Sequence, residues 1–84
     1  MIVTTRYMSE ELASDEEWVA LNAAFERHRV DAGELRNLYF GFAVDRVRLV
    51  SDLLLIADSG DIASLPALEM VRRLAAVDSR QRRP

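Results

Sequence analysis

The sequence predicts an all-α fold: a small antiparallel three-helix bundle with a long central helix and a short extended N-terminal arm, assembled as a dimer. Three observations lead there. Apolar residues recur at helical spacing in three segments, a helix-start signal precedes each, and aspartate- or glycine-bearing turns separate them. The reading divides one domain, 1–84, into an arm (1–13), helix A (14–30), helix B (31–58), helix C (64–79) and a tail (80–84). Half of the residues are hydrophobic, which supports a packed core. A chain this short hides only about 60–65% of the surface its unfolded form exposes, so it is marginal as a lone monomer.

The arm opens with Met1 to Met8, rich in β-favouring residues and without helical period, and reads as extended or as a short strand. Ser9 caps a brief turn through Leu12. Ser14 with Glu17 then makes a capping box, and Asp15, Glu16 and Glu17 suit the positive end of a helix dipole. In helix A the spacing of Trp18, Leu21, Phe25 and His28 defines an inner face flanked by Ala24.

Asp31 with Glu34 repeats the capping logic for helix B, which at 1.5 Å per residue is about 39 Å long. Its apolar residues, from Leu35, Leu38, Tyr39, Phe42 and Ala43 through Val47, Leu49, Val50, Leu53, Leu54, Ile56 and Ala57, fill an arc of roughly 200°. Arg46 points into the middle of that arc. Gly41 falls on its polar side, where glycine costs about 1 kcal/mol relative to alanine, and only a kink or a close helix contact accounts for it. Asp58 to Asp61 is a turn in which Gly60 ends helix B in a left-handed conformation. Ser64 caps helix C, whose inner stripe is Ala67, Met70, Val71, Leu74 and Val77, bordered by Leu68 and Ala75.

Composition narrows the chemistry. There is no cysteine, hence no disulfide, thiolate metal site or cysteine nucleophile. There is no lysine among eleven basic residues, which excludes Schiff-base chemistry and a Walker-type phosphate lysine. His28 is the only histidine and has no companions for a metal site. The serines sit where caps and turns explain them, and no glycine-rich phosphate cradle exists. The chain is therefore read as non-enzymatic, without catalytic residues, cofactor, metal or small-molecule substrate. Without a secretory signal or a span of 18 apolar residues, it is expected to be cytoplasmic and not membrane-bound.

Two functions follow. The first is a protein-protein interaction domain, a small regulator, adaptor or inhibitor that docks through the apolar face of helix B onto a protein partner or a second copy of itself. Its partner-binding residues are Phe40, Val44, Arg46, Arg48 and Leu55. Here Arg46 either pairs internally with a carboxylate such as Glu26 or aims its fork at a partner. The second is a small DNA-binding regulator, using Thr4 and Arg6 of the arm and Arg80, Arg82 and Arg83 of the tail. Strand, helix, helix is an order of elements that loosely resembles the ribbon-helix-helix repressors and antitoxins. Helix A begins later, and helix B is longer, than that fold has. A net charge of −3 weighs against nucleic acid as the main partner.

Overall fold

The computed structural model describes residues 4–5 and 12–81, with side chains from residue 12 to residue 79. In chain order the elements are β1 (Thr4–Thr5), α1 (Asp15–Arg27), α2 (Gly33–Tyr39), β2 (Val44–Asp45), α3 (Arg46–Asp58) and α4 (Ser64–Gln81). The fold is helical and packed around one core. Its radius of gyration, 12.0 Å, is what a compact chain of this length has, about 12 Å. The expected turn at Ser9 lies outside the described residues.

Helix A forms as α1 over Asp15–Arg27, two to three residues short of the predicted end. Its capping box is complete: the Glu17 amide donates to Ser14 Oγ at 3.3 Å, and the Ser14 amide donates to Glu17 Oε1 at 2.9 Å. Trp18, Leu21, Ala24 and Phe25 face the core as the spacing requires, but His28 does not. It is the C-cap, and its ring lies outside the core beside Asp61.

The long central helix is the largest correction, because helix B is two helices. At the end of α2 the Phe42 amide donates to the Asn37 carbonyl at 2.8 Å and the Gly41 amide to the Leu38 carbonyl at 3.2 Å, with Gly41 at φ 75°. That is a Schellman stop, which consumes the last free carbonyls of α2 and turns the chain away. Four residues later Asp45 takes up the N-cap of α3, accepting from the Arg48 amide at 3.2 Å. Gly41 is therefore explained by a left-handed stop rather than by a kink within one helix. The interruption also resets the helical phase. Tyr39, Phe42, Val47 and Leu54, all inside the predicted apolar arc, come out exposed.

The capping box foreseen at Asp31 and Glu34 is likewise replaced. Ala32 is the N-cap of α2 and has no side-chain bond; Asp31 Oδ1 accepts from the Gly33 amide at 3.0 Å. Glu34 reaches instead to the far side of the interruption, where its Oε2 accepts from the Asp45 amide at 2.8 Å. It thereby ties α2 to the start of α3. Behind this tie, burial pushes the Asp52 carboxyl above its ordinary range, against the pull of Arg48.

A second Schellman stop ends α1. The Val30 amide donates to the Phe25 carbonyl at 2.8 Å and the Arg29 amide to the Glu26 carbonyl at 3.1 Å, but the left-handed position is Arg29, at φ 55°. Arg29→Gly is expected to stabilise the fold by about 0.5–1 kcal/mol, and Gly41→Ala to cost about 1 kcal/mol. Urea midpoints of the two variants, moving in opposite directions, are the check.

Helices α3 and α4 are the main packed pair. Leu49, Leu53 and Ile56 of α3 meet Ala67, Met70 and Leu74 of α4 in the core that α1 and α2 close with Phe25, Leu21, Leu35 and Leu38. Gly60, at φ 78°, turns the chain between them as expected. Ser64 is the first residue of α4 rather than its cap. The capping bonds come from Asp61, whose Oδ1 accepts from the Ala63 amide at 2.9 Å and whose carbonyl accepts from the Ser64 amide at 2.9 Å. Helix α4 continues through Gln81, past the predicted end.

The arm does form a strand, and it pairs within the chain. β1 runs antiparallel to β2, Thr4 opposite Asp45 and Thr5 opposite Val44. Arg73 adds a second tie near the arm, donating from Nη1 to the Leu12 carbonyl at 2.7 Å and to Glu17 Oε1 at 3.0 Å. The Ser14 amide and the Arg73 guanidinium hold the Glu17 carboxyl below its ordinary range, against a contrary effect of burial.

Candidate functional site: an aromatic ridge beside a cleft

The Schellman stop at Gly41 determines what the surface offers. Tyr39 is the last residue of α2, Phe40 its C-cap, and Phe42 follows the left-handed turn. Three aromatic side chains thus leave the helix within four positions, on the outside of a bend. Tyr39 remains 45% exposed, Phe40 59% and Phe42 59%. Their rings touch in series. Trp18 meets Tyr39 edge-on at 5.3 Å between centroids, Tyr39 meets Phe40 edge-on at 5.1 Å, and Phe40 lies 6.2 Å from Phe42 at a tilt of 36°. Such pairs contribute about 0.5–1.5 kcal/mol each beyond area burial, so the ridge is stiffened by its own contacts while its outer faces stay in water.

Tyr39 also forms one wall of a cleft between α1 and α2, with a volume of about 430 Å³. From α1 the lining includes Trp18, Val19, Asn22 and Glu26, a stripe at spacings of one, three and four residues; α2 contributes Leu35, Arg36 and Tyr39. The ridge and the cleft are thus continuous through Tyr39. A separate apolar stripe on α3 holds Val47 and Leu54, seven residues apart and on one face, with Leu55 beside them.

The five residues expected to meet a partner divide accordingly. Phe40 is exposed within the ridge. Val44 is a correction: it is 1% exposed, because the phase reset places it in β2 with its side chain in the core. Arg46 is the first residue of α3 rather than the middle of a long helix, and its Nε lies 3.1 Å from Asp78 Oδ2 on α4, not against Glu26. Arg48 is open, with Asp31 Oδ2 at a loose 3.9 Å. Leu55 is exposed but lies nine residues into α3, about 13 Å along it, away from the ridge. For the alternative site, Thr4 lies in β1, and the side chains of Thr4, Arg6, Arg80, Arg82 and Arg83 lie outside the described residues.

Arg46→Met should lower stability by about 1–2 kcal/mol, between the values for exposed and fully buried pairs, since both side chains are partly covered. The urea midpoint reads this directly; an unchanged midpoint would remove the α3–α4 clasp from the account of the fold.

One polar cluster was not foreseen. Asp61 accepts from Arg27 through two bonds, Nη2 to Oδ1 at 2.7 Å and Nε to Oδ2 at 3.1 Å, and His28 Nε2 lies 2.9 Å from Oδ2. Arg27 first, then the Ala63 amide and His28, hold the Asp61 carboxyl far below the usual carboxylate range. The cluster resembles part of a hydrolytic arrangement, but the nearby Ser59 hydroxyl donates to the Ile56 carbonyl at 2.7 Å, which accounts for its proton. Asp61 joins the C-terminus of α1 to the N-terminus of α4, a structural role. Among the described residues no group of three or more histidine, aspartate or glutamate side chains is placed to hold a metal ion, and no helix is long and apolar enough to cross a membrane.

No family model, no curated protein and no solved structure matches this chain.

Proposed function

We propose that this chain is a non-enzymatic protein-protein interaction domain, a small regulator, adaptor or inhibitor, whose docking surface is the aromatic ridge Tyr39–Phe40–Phe42. The observation that carries this reading is the placement of two phenylalanines, each more than half exposed, on a bend braced by ring-to-ring contacts. Both remain more than half exposed among the described residues. Aromatic groups of this kind are the usual anchors of interfaces, and rigid ones lose little entropy on binding. Arg48 stands open on α3 as a polar rim group. A second copy of the chain is the first partner to test, because so small a core leaves apolar surface to cover.

Covering the exposed part of two phenylalanines is worth about 1–2 kcal/mol each, or roughly one and a half to three decades in affinity together. The double variant Phe40→Ser/Phe42→Ser is therefore expected to shift any self-association midpoint at least about thirtyfold, measured by light scattering over micromolar concentrations. Its thermal midpoint should fall only by the several degrees that two lost ring contacts represent, with the fold retained. In an affinity pull-down from the host, the wild type should capture a protein that the variant does not. A strictly monomeric wild type whose captured partners are indifferent to the substitutions would defeat the reading. The strand that nucleic-acid recognition would use is paired with β2 of its own chain, which lends that alternative less support. A mobility shift at low salt is its test.

A further inference from the structure

The cleft beside the ridge carries ligand chemistry of its own. Its volume of about 430 Å³ lies in the range of clefts that hold small ligands or side chains, about 300–1,000 Å³. Its walls are unlike the ridge: at one end Trp18 and Tyr39 stand edge to face, and Asp15 adjoins them from the first turn of α1. The contact between Trp18 and Tyr39 sets the start of α1 beside the end of α2, so Arg36, one turn before Tyr39, lies further along the cleft toward Glu26. Among the described residues neither Asp15 nor Glu26 has an ion-pair partner. Two carboxylates, Asp15 and Glu26, and one guanidinium, Arg36, line the cleft, so among the described residues the lining keeps a net negative charge, with Asp15 at the aromatic end. The dipole of α1 opposes a cation there by about half a charge. Asp15 and Glu16, both in that first turn and neither engaged as Glu17 is, outweigh it.

We propose that this end of the cleft receives an arginine side chain from an apolar segment of a protein partner, its guanidinium stacked on Tyr39 and paired with the Asp15 carboxylate. A guanidinium suits the site better than an ammonium because its plane lies flat on an aromatic face while its edge meets a carboxylate through two bonds. Val19 and Leu35 supply apolar contact for residues flanking the arginine. An acidic segment is repelled by Asp15, and a neutral one leaves that charge unanswered. This inference rests on the interaction-domain reading and specifies the chemistry of the partner.

Trp18 is the only tryptophan in the chain and stands in the wall of the cleft, so its emission reports occupancy. The probe is a capped five-residue peptide with a central arginine between leucines, compared with the same peptide carrying citrulline, which keeps the shape and removes the charge. The expected result is a saturable change in Trp18 emission, at least about tenfold weaker in affinity for the citrulline peptide. Asp15→Asn should lower affinity for the arginine peptide and leave the citrulline peptide unaffected. Equal affinities for the two peptides, or no saturable change up to about 10 mM, where binding would be worth less than about 3 kcal/mol, overturn the proposal. The peptide comparison needs no variant, so an effect of Asp15→Asn on folding cannot obscure it. Phe40→Ser/Phe42→Ser should retain the discrimination between peptides. If the peptides fail while that variant still abolishes association, the cleft proposal falls and the ridge stands; the opposite pattern removes the ridge and keeps the cleft.

Discussion

Phe25→Ala should remove about a quarter or more of the total stability of the fold. Phe25 is completely buried and, among the described residues, is the largest side chain that is. It lies in the part of the core where α1 meets the other helices, one residue from buried Ala24 and four from buried Leu21. Truncating such a ring costs about 3–5 kcal/mol, from lost transfer energy and the cavity left behind. A domain of this size has a total stability of only about 4–13 kcal/mol. Urea unfolding followed by circular dichroism should show the midpoint lowered by about a quarter or more, or no native baseline. Trp18 emission should report the same transition. A midpoint within error of the wild type would mean that this core is not packed as described.

The second large effect should come from Asp61→Asn. The Asp61 side chain is only 8% exposed because Arg27 and His28 cover it, although the cluster sits at the molecular surface. The substitution removes the charge that organises both side chains, and an amide cannot accept at both oxygen positions as the carboxylate does. The thermal midpoint at pH 7 should fall by several degrees. The pH dependence gives the sharper test. A carboxyl held below its unfolded range contributes stability that is fully present above about pH 4, the unfolded value, and is lost as pH falls below it. The wild type should therefore lose stability between about pH 4 and pH 2 faster than the variant, and the two curves should converge. Parallel curves would mean that the cluster contributes no linkage.

The contrast between what the residues revealed and what they hid has a physical origin. Ser14 with Glu17, the Trp18–Leu21–Phe25 stripe, the turn at Gly60 and the stripe of α4 are local signals, and each forms where its pattern lies. Helix B is interrupted because its punctuation, Gly41 and Asp45, outweighs the apolar period that runs across it. Gly41 and Asp45, four residues apart, are a helix stop and a helix start in the order that such signals take. They were legible as such, but the run of large apolar residues around them looked continuous. That apparent continuity misplaced Val44, Arg46 and Phe42, which follow the stop, and Tyr39, which the stop leaves at a helix end, whereas Leu49, Leu53 and Ile56 are buried as their spacing predicts. Arg46's true partner, Asp78, is 32 residues away in the chain (78 − 46), and Asp61's partners Arg27 and His28 are 34 and 33 away. No local spacing encodes such pairs. The cleft was hidden for a similar reason: it depends on how α1 and α2 pack, and Trp18 read alone is simply a core residue.

The two-rung ladder of Thr4 and Thr5 on Asp45 and Val44 joins segments roughly forty residues apart. Closing a loop of that length costs about 3 kcal/mol of chain entropy, while each bond of the ladder returns only about 1 kcal/mol. So short a pairing cannot nucleate folding. It can form only after the helices have fixed Val44 in the core, which makes it a latch that shuts last and opens first. Amide protons at this seam should therefore exchange with solvent through a local opening, well before those of α3 and α4 do.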